Sequence, residues 1–489
     1  MEWHTEDKYR RIEEVSQEDF NVLTSKVNSC PWRQTFHVQP ISGLLNDPNG
    51  FSFYNGEYHL FYQWHPLGPY HGLKYWYHVK SKNLVDWENI GIGLKPDDYY
   101  DSHGTYSGSA IEHNEKLYLF YTGNTRDKNL IRHPYQCIAV MNEDGKITKF
   151  ENPVITNVPE GYTEHFRDPK VWKEGNRFYA VIGAQRTDKT GCIVLYSSLD
   201  LMKWNFEGEL KTQLSEFGYM WECPDYIEIE NQGILLFSPQ GLKPNGNHYR
   251  NIYQSGYVIG DKLDLQKNEL IHGSFVELDR GFDFYAPQTM LDPKGRRILS
   301  GWMGLPDIEY PTDQHGWAHC LTIPRELSLS NGKLIQKPVH ELQSLRKREF
   351  KIEGTVFNEV KMYDGFSGVT YELICEFESG DASEFGIEFR ASEDEKTIIK
   401  YDTFQREIIL DRTLSGKKVG EEYGEQRKCK INSHKFKFHL FVDSSSVEIF
   451  VNEGEEVFTS RIFPNVNSKD IRFYAIGGYS TFKAIKWDF

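Results

Sequence analysis

Residues 47–63 read DPNGFSFYNGEYHLFYQ, and the same grammar returns four more times. SGSAIEHNEKLYLFYTG from Ser107, DPKVWKEGNRFYAVIGA from Asp168, ECPDYIEIENQGILLFS from Glu222 and YAPQTMLDPKGRRILSG from Tyr285 each open on a small or polar turn and then run strand, tight polar turn, strand. The turns are Asn55-Gly56, Asn114-Glu115, Glu174-Gly175-Asn176, Asn231-Gln232-Gly233 and Asp292 to Gly295, the residue types that hairpins need. The flanking segments are rich in β-forming residues and partly alternate, as in Tyr58, Leu60, Tyr62 and in Phe178, Ala180, Ile182. The openings at 47, 107, 168, 222 and 285 lie 60, 61, 54 and 63 residues apart. A sheet that small cannot bury both faces alone, so five of them predict a five-bladed β-propeller over residues 35–335. In a propeller the innermost strand of each blade begins near the central channel, so the openings of successive repeats converge on one funnel.

Outside the repeats the pattern changes. Residues 1–34 form an extension with helical spacing at Phe20, Leu23 and Val27, expected to pack on the outside. Residues 336–349 are expected to link the propeller to a C-terminal domain, with VHELQSLRKREF as a short helical connector that keeps Leu342 and Leu345 on one face. From 350 to 489 the chain is short alternating strands; Phe436, Phe438, Leu440 and Val442, then Val447, Ile449 and Val451, flank the turn Asp443 to Ser446. That is a hairpin of a β-sandwich. The fold class is all-β: a five-bladed propeller followed by a sandwich.

Composition narrows the function. The 489 residues are 39% apolar and 26% charged, which suits a globular chain of two domains. Aromatic residues make up 15%, with 29 Tyr, 31 Phe and 11 Trp, a load that suits strands and also stacking on sugar rings. A net charge of −15 without a basic stripe argues against nucleic acid or an anionic membrane as partner. No run of about 18 apolar residues and no apolar leader is present, so neither membrane insertion nor secretion is expected. The seven cysteines are scattered without a C-x-x-C pair, so neither a zinc site nor a disulfide framework is signalled. The cytoplasm is the expected location. Oligomeric state stays open, a homodimer being the one assembly entertained.

The chemistry lies at the openings. Asn46-Asp47-Pro48-Asn49-Gly50, Arg167-Asp168-Pro169 and Glu222-Cys223-Pro224-Asp225 are each ordinary turn sequences when taken alone. Placed at equivalent points of a repeat, they bring three carboxylates to one funnel. Two carboxyl groups facing each other across a scissile bond are the minimum equipment for glycoside hydrolysis, and retention requires them about 5 to 5.5 Å apart. Glu222, flanked by Trp221, Cys223 and Pro224, is expected in an apolar setting that raises its pKa and keeps it an acid. Asp47, beside the Asn46 and Asn49 amides, is expected to stay ionised as nucleophile. Cys223 is expected to be only a small apolar neighbour of the acid.

Those three blocks, in that order, resemble the signature of glycoside hydrolase family 32, which holds invertases, fructanases and sucrose-6-phosphate hydrolases. The similarity continues through Tyr106-Ser107-Gly108-Ser109, Tyr285-Ala286-Pro287-Gln288, Gly301-Trp302-Met303, Ile323-Pro324-Arg325-Glu326-Leu327 and Val447-Glu448-Ile449-Phe450. The resemblance implies a retaining β-fructosidase needing no metal and no cofactor, with a small sugar as its partner. In it Asp47 attacks C2 of the fructosyl unit, Glu222 is acid and base, and Asp168 binds fructose hydroxyls and stabilises the transition state. Asn46, Gln63, Tyr106, Ser107, Arg167 and Trp302 match positions lining the fructose pocket.

Where many extracellular members carry Trp-Gly, this chain has His71-Gly72-Leu73-Lys74-Tyr75-Trp76, which resembles the sucrose-6-phosphate hydrolases. His71 and Lys74 are therefore expected to supply part of a positive pocket for a phosphorylated glucosyl group. Two rival readings remain at this level. One is a general β-fructofuranosidase or a fructosyltransferase sharing the same intermediate; the other is a propeller that only binds, its openings mere turns.

Overall fold

The computed structural model describes residues 8–431 and 433–489; the first seven residues of the expected N-terminal extension lie outside them. Five sheets, each built on four antiparallel strands, form the propeller, and the first and fifth each carry one short strand more. Their innermost strands are Gly43–Tyr54, Thr105–His113, Tyr162–Glu174, Met220–Ile229 and Tyr285–Leu291. Each repeat seen in the sequence is the inner hairpin of one blade, and two further strands complete the sheet outward. The last strand of the fifth blade, Lys333–Pro338, runs into the stretch expected as linker, and the connector itself is a 3-10 turn, His340–Leu345, with Leu342 buried.

Inner strands of neighbouring blades do not share a ladder, so their central backbone groups need other partners. Side chains supply them. Asn49 Oδ1 accepts from Gly108 N at 3.0 Å, Ser109 Oγ bonds Pro169 O and Val171 N, and Asp225 Oδ2 accepts from Thr289 N at 2.7 Å. Gln288 closes the circle, donating to Gly108 O at 2.8 Å and accepting from Phe51 N at 2.9 Å. Buried Lys170 ties blades three, four and five through Asp225 Oδ2 at 3.0 Å and Thr289 O. The ring is also locked by backbone: Trp317–Ala318, from the long connection within blade five, pairs in parallel with Gly43 and Leu44 of blade one.

All five inner strands carry one extra residue at the same place. Register slips between Leu45 and Pro48, Thr105 and Gly108, Arg167 and Lys170, Glu222 and Asp225, and Tyr285 and Gln288. Pro169, Pro224 and Pro287 sit inside three of these bulges, where a missing N–H costs no ladder bond, and Pro48 directly follows a fourth. Asp168, Cys223 and Ala286 hold φ of 66°, 48° and 48° there. The bulges turn the preceding side chains toward the axis.

The C-terminal domain is one sheet curled on itself rather than two separate layers. Glu349–Ser367 and Asp470–Asp488 pair along most of their length and pass from one face of the sandwich to the other. The second half of Asp470–Asp488 adds to Tyr371–Ser379, and its first half to Glu384–Ala391. The bend falls at Asn358 and at Gly477-Gly478, all with positive φ. Phe377, Phe385, Phe438, Phe473 and Phe482 fill the space between the faces. Among the described residues no helix is long and apolar enough to cross a membrane.

Helix Gln17–Asn28 is capped by Ser16, whose side chain accepts from Asp19 N, and buries Val27 beside Trp317 and Tyr310 at the ring closure. A buried polar network joins the two domains nearby. Arg325, fully buried, bonds Glu448 at 2.6 Å, Asp279 at 3.1 Å and Thr459 at 2.6 Å. His37 lies between Asp443 at 2.8 Å and Glu448 at 3.1 Å. Burial alone would push the His37 imidazole down, but those two carboxylates outweigh it and hold the ring up at about 9. The stabilisation this charge gives is full below the ordinary histidine value of about 6.5 and is lost as pH rises through about 9. His37→Gln should cost roughly 3 to 5 kcal/mol in denaturant unfolding at pH 6. That difference from the parent should shrink between pH 7 and 10, and a pH-independent difference would contradict the charged assignment.

Candidate functional site

Because the bulges align, residues at the five openings meet on the axis. A small cavity of about 10 Å³, room for one water, is lined by Pro48, Ser107, Asp168, Cys223, Asp225, Ala286 and Gln288, among others, drawing on all five blades. Asp47 stands beside it in a relay of side chains. Ser107 Oγ donates to Asp47 Oδ2 at 2.5 Å and accepts from Gln63 Nε2 at 2.7 Å. Asn46 Nδ2 donates to Asp47 Oδ1 at 3.1 Å and to Gln63 Oε1 at 2.8 Å, while Lys74 Nζ holds Asn46 Oδ1 at 2.6 Å. Burial pushes the Asp47 carboxyl up, the Ser107 bond opposes this, and the charge of Glu222 adds to it.

Glu222 sits in a polar cage. Arg167 reaches its Oε1 through Nη2 at 2.7 Å and Nε at 2.9 Å; Gln240 Nε2 and Tyr285 Oη donate to Oε2 at 2.8 and 2.6 Å. The expected apolar setting is therefore corrected. Trp221 points into the packing between blades three and four, so the neighbours of Glu222 in sequence are not the neighbours of its carboxylate. The Asn49 amide likewise donates to the Asp47 backbone carbonyl at 3.0 Å rather than to its carboxylate.

Asp168 completes the group. Its Oδ2 accepts from Cys223 N at 3.1 Å, and Arg167 Nε lies 4.0 Å away. Burial raises its pKa to about 7; Arg167 opposes this, and Glu222 and Asp47 reinforce it. The Cys223 thiol stands 3.7 Å from Asp47 Oδ2 and 3.6 Å from Asp168 Oδ2. It is more than a neighbour of the acid: it occupies the space between two carboxylates, and burial keeps it protonated.

The remaining expected residues are spread around this centre. Tyr106 accepts from Trp76 Nε1 through its carbonyl at 2.9 Å and lies under the Arg132 guanidinium. Trp302 is buried, with its ring 6.0 Å from both Tyr285 and His71. Lys74 is buried against Asn46, its pKa brought down to about 7 by burial despite the charge of Asp47. It does not face solvent as a free phosphate ligand would. His71 lines a separate, larger cavity of about 1210 Å³ that adjoins the site through Trp302. Sequence reading missed Gln240 and Tyr285 as partners of Glu222. Tyr285 opens the fifth repeat as Glu222 opens the fourth, a signal available in the alignment of repeats; Gln240, at the end of a partner strand, gave none.

Residues 37–338 match the glycosyl hydrolases family 32 N-terminal domain, and residues 341–488 match the family's C-terminal domain. The chain belongs to glycoside hydrolase family 32. It is 47% identical over 487 residues to a sucrose-6-phosphate hydrolase of Staphylococcus xylosus, covering 100% of this chain and 98% of that one. A Bacillus subtilis sucrose-6-phosphate hydrolase is 43% identical, with 98% of each chain covered. Among solved structures, the Lactobacillus gasseri sucrose-6-phosphate hydrolase superposes with a TM-score of 0.93 at 38% identity, covering 100% of this chain and 99% of that one. A Bombyx mori family 32 β-fructofuranosidase in complex with sucrose does so with 0.82 at 34% identity, covering 98% of each.

Ser107 holds Asp47 toward ionisation against burial. Ser107→Ala should move the acidic limb of the kcat/KM profile upward by roughly half a unit to one unit and lower the plateau about tenfold. An unmoved limb would mean that Asp47 does not set it.

Proposed function

We propose that this glycoside hydrolase cleaves the β-fructofuranosidic bond of sucrose 6-phosphate with retention, through a fructosyl-enzyme formed on Asp47. The observation that carries the reading is the meeting of Asp47, Asp168 and Glu222 at the bulged mouths of blades one, three and four, each held by named donors. The substrate rests on the sucrose-6-phosphate hydrolases that the chain resembles over its full length.

In this mechanism Asp47 Oδ attacks C2 while Glu222 delivers a proton to the leaving glucosyl oxygen; Glu222 then takes a proton from the water that frees fructose. Asp47 must be ionised at attack, which the Ser107 and Asn46 donors favour. Glu222 must carry the proton that it delivers, and Arg167, Gln240 and Tyr285 hold its carboxyl in place. Arg167 is also 4.0 Å from Asp168 and favours its ionised form, which suits that group to grip fructose hydroxyls. Charge developing on the fructosyl ring then meets Asp47 and Asp168 in a dry pocket, where such interactions are strong. Likeness to the sucrose-bound Bombyx mori enzyme keeps unphosphorylated sucrose as a slower substrate.

Side-by-side kcat/KM on sucrose 6-phosphate and sucrose tests the reading. A preference of about a hundredfold, ~2.7 kcal/mol of differential transition-state binding, is expected. Asp47→Asn should lower both rates by at least about a thousandfold, ~4 kcal/mol. Equal rates on the two sugars would make the protein a general β-fructofuranosidase, and an active Asp47→Asn would remove the nucleophile.

A further inference from the structure

The cavity of about 1210 Å³ beside Trp302 is walled by four parts of the chain that are far apart in sequence, one of them the stretch 305–319. Lys8 and Lys26 come from the N-terminal segment, Tyr70 and His71 from blade one, and Lys417 from the C-terminal domain. Lys8, Lys26 and Lys417 make no ion pair among the described residues, unlike Lys418, which is tied to Glu425. His71 Nε2 is covered and has no hydrogen-bond partner. The unpaired His71 nitrogen, beside three lysines that form no ion pair among the described residues, is a setting that an anion would complete.

The cations are grouped. The N-terminal segment is stitched to the 71–75 stretch: Leu73 N donates to Lys8 O at 2.7 Å, and Ile12 N donates to Tyr75 Oη at 3.3 Å. Lys8 is close enough to push down His65, His71 and Lys74, in each of which burial is the larger cause. The cavity's acids, Asp307, Glu309 and Asp313, all belong to the single stretch 305–314. Lys74 bonds Asn46 Oδ1 at 2.6 Å, and its charge interacts with both His71 and Asp47.

We propose that Lys8 and His71 bind the phosphate of the substrate, with Lys26 and Lys417 at the exposed rim, so that the N-terminal segment makes the leaving-group side of the pocket selective for a phosphate monoester. This rests on the β-fructosidase reading. The segment lies before residue 37, where the match to the family domain begins, yet the Staphylococcus xylosus sucrose-6-phosphate hydrolase is similar over 100% of the chain. A phosphate dianion near two or three cations in a partly dry cleft gains charge-assisted hydrogen bonds that a glucosyl hydroxyl cannot make. Selectivity then comes from a part of the chain that the fructose pocket does not use.

The test compares the ratio of kcat/KM on sucrose 6-phosphate to that on sucrose, at fixed ionic strength, for the parent, Lys8→Met, Lys8→Arg and Lys26→Met. Lys8→Met should cut the ratio at least tenfold through KM of the phosphorylated sugar, Lys8→Arg should restore most of it, and Lys26→Met should cut it two- to threefold. Inorganic phosphate should inhibit sucrose hydrolysis competitively in the parent and about tenfold more weakly in Lys8→Met. A parent that prefers the phosphorylated sugar while Lys8→Met keeps that preference would overturn this inference and leave the proposed function standing. A fall of both substrates together would reduce Lys8 to a structural role and overturn it as well. A parent without preference would overturn both.

Discussion

Among the described residues, Arg167 is the one cation in contact with a group of three carboxylates that share a buried space, and the site depends on how that single charge is divided. Burial raises the cost of ionising Asp47 and Asp168, and the charge of Glu222 adds to both. Arg167 contacts Glu222 at 2.7 Å and lies 4.0 Å from Asp168. Coupled carboxylates of this kind titrate as a set rather than one by one.

That division requires the carboxylates to be fixed, and the propeller fixes them by a constraint on its backbone. Five inner strands meet around the axis without a shared ladder, so Asn49, Ser109, Asp225 and Gln288 supply the missing hydrogen bonds. The same residues pin each bulge, and each bulge aims a functional side chain. The C-terminal domain is tied to blade five and to the segment that enters blade one through Arg325, His37 and their buried acids. Its network touches no reacting group; it keeps the circle closed.

Much of this could be read from the sequence because a repeat carries geometry as well as fold. Once DPNG, SGSA, DPKV, ECPD and YAPQ are aligned, the convergence of Asp47, Asp168 and Glu222 follows, and so do the hairpins behind them. The prolines at 48, 169, 224 and 287 even mark the bulges. What could not be read was the direction of individual side chains across blades. Trp221 and Cys223 suggested an apolar home for Glu222, but a bulged strand sends Trp221 into packing while Arg167, Gln240 and Tyr285 arrive from other strands. Lys74 lies in the loop the sequence marks, yet it is buried and bonds Asn46. Local composition reports which groups are near in the chain, and the carboxylates' surroundings are set by blades that are not.

In the proposed chemistry Asp47 becomes covalently attached to the fructosyl unit. That bond can be observed by peptide mass analysis of the Glu222→Gln protein after brief incubation with β-fructofuranosyl fluoride, whose leaving group needs no acid. One fructosyl unit is expected on the peptide containing Asp47, absent when Asp47→Asn is added. Attachment at Asp168 or elsewhere, or hydrolysis with inverted configuration and no adduct, would contradict the assignment of Asp47 as nucleophile.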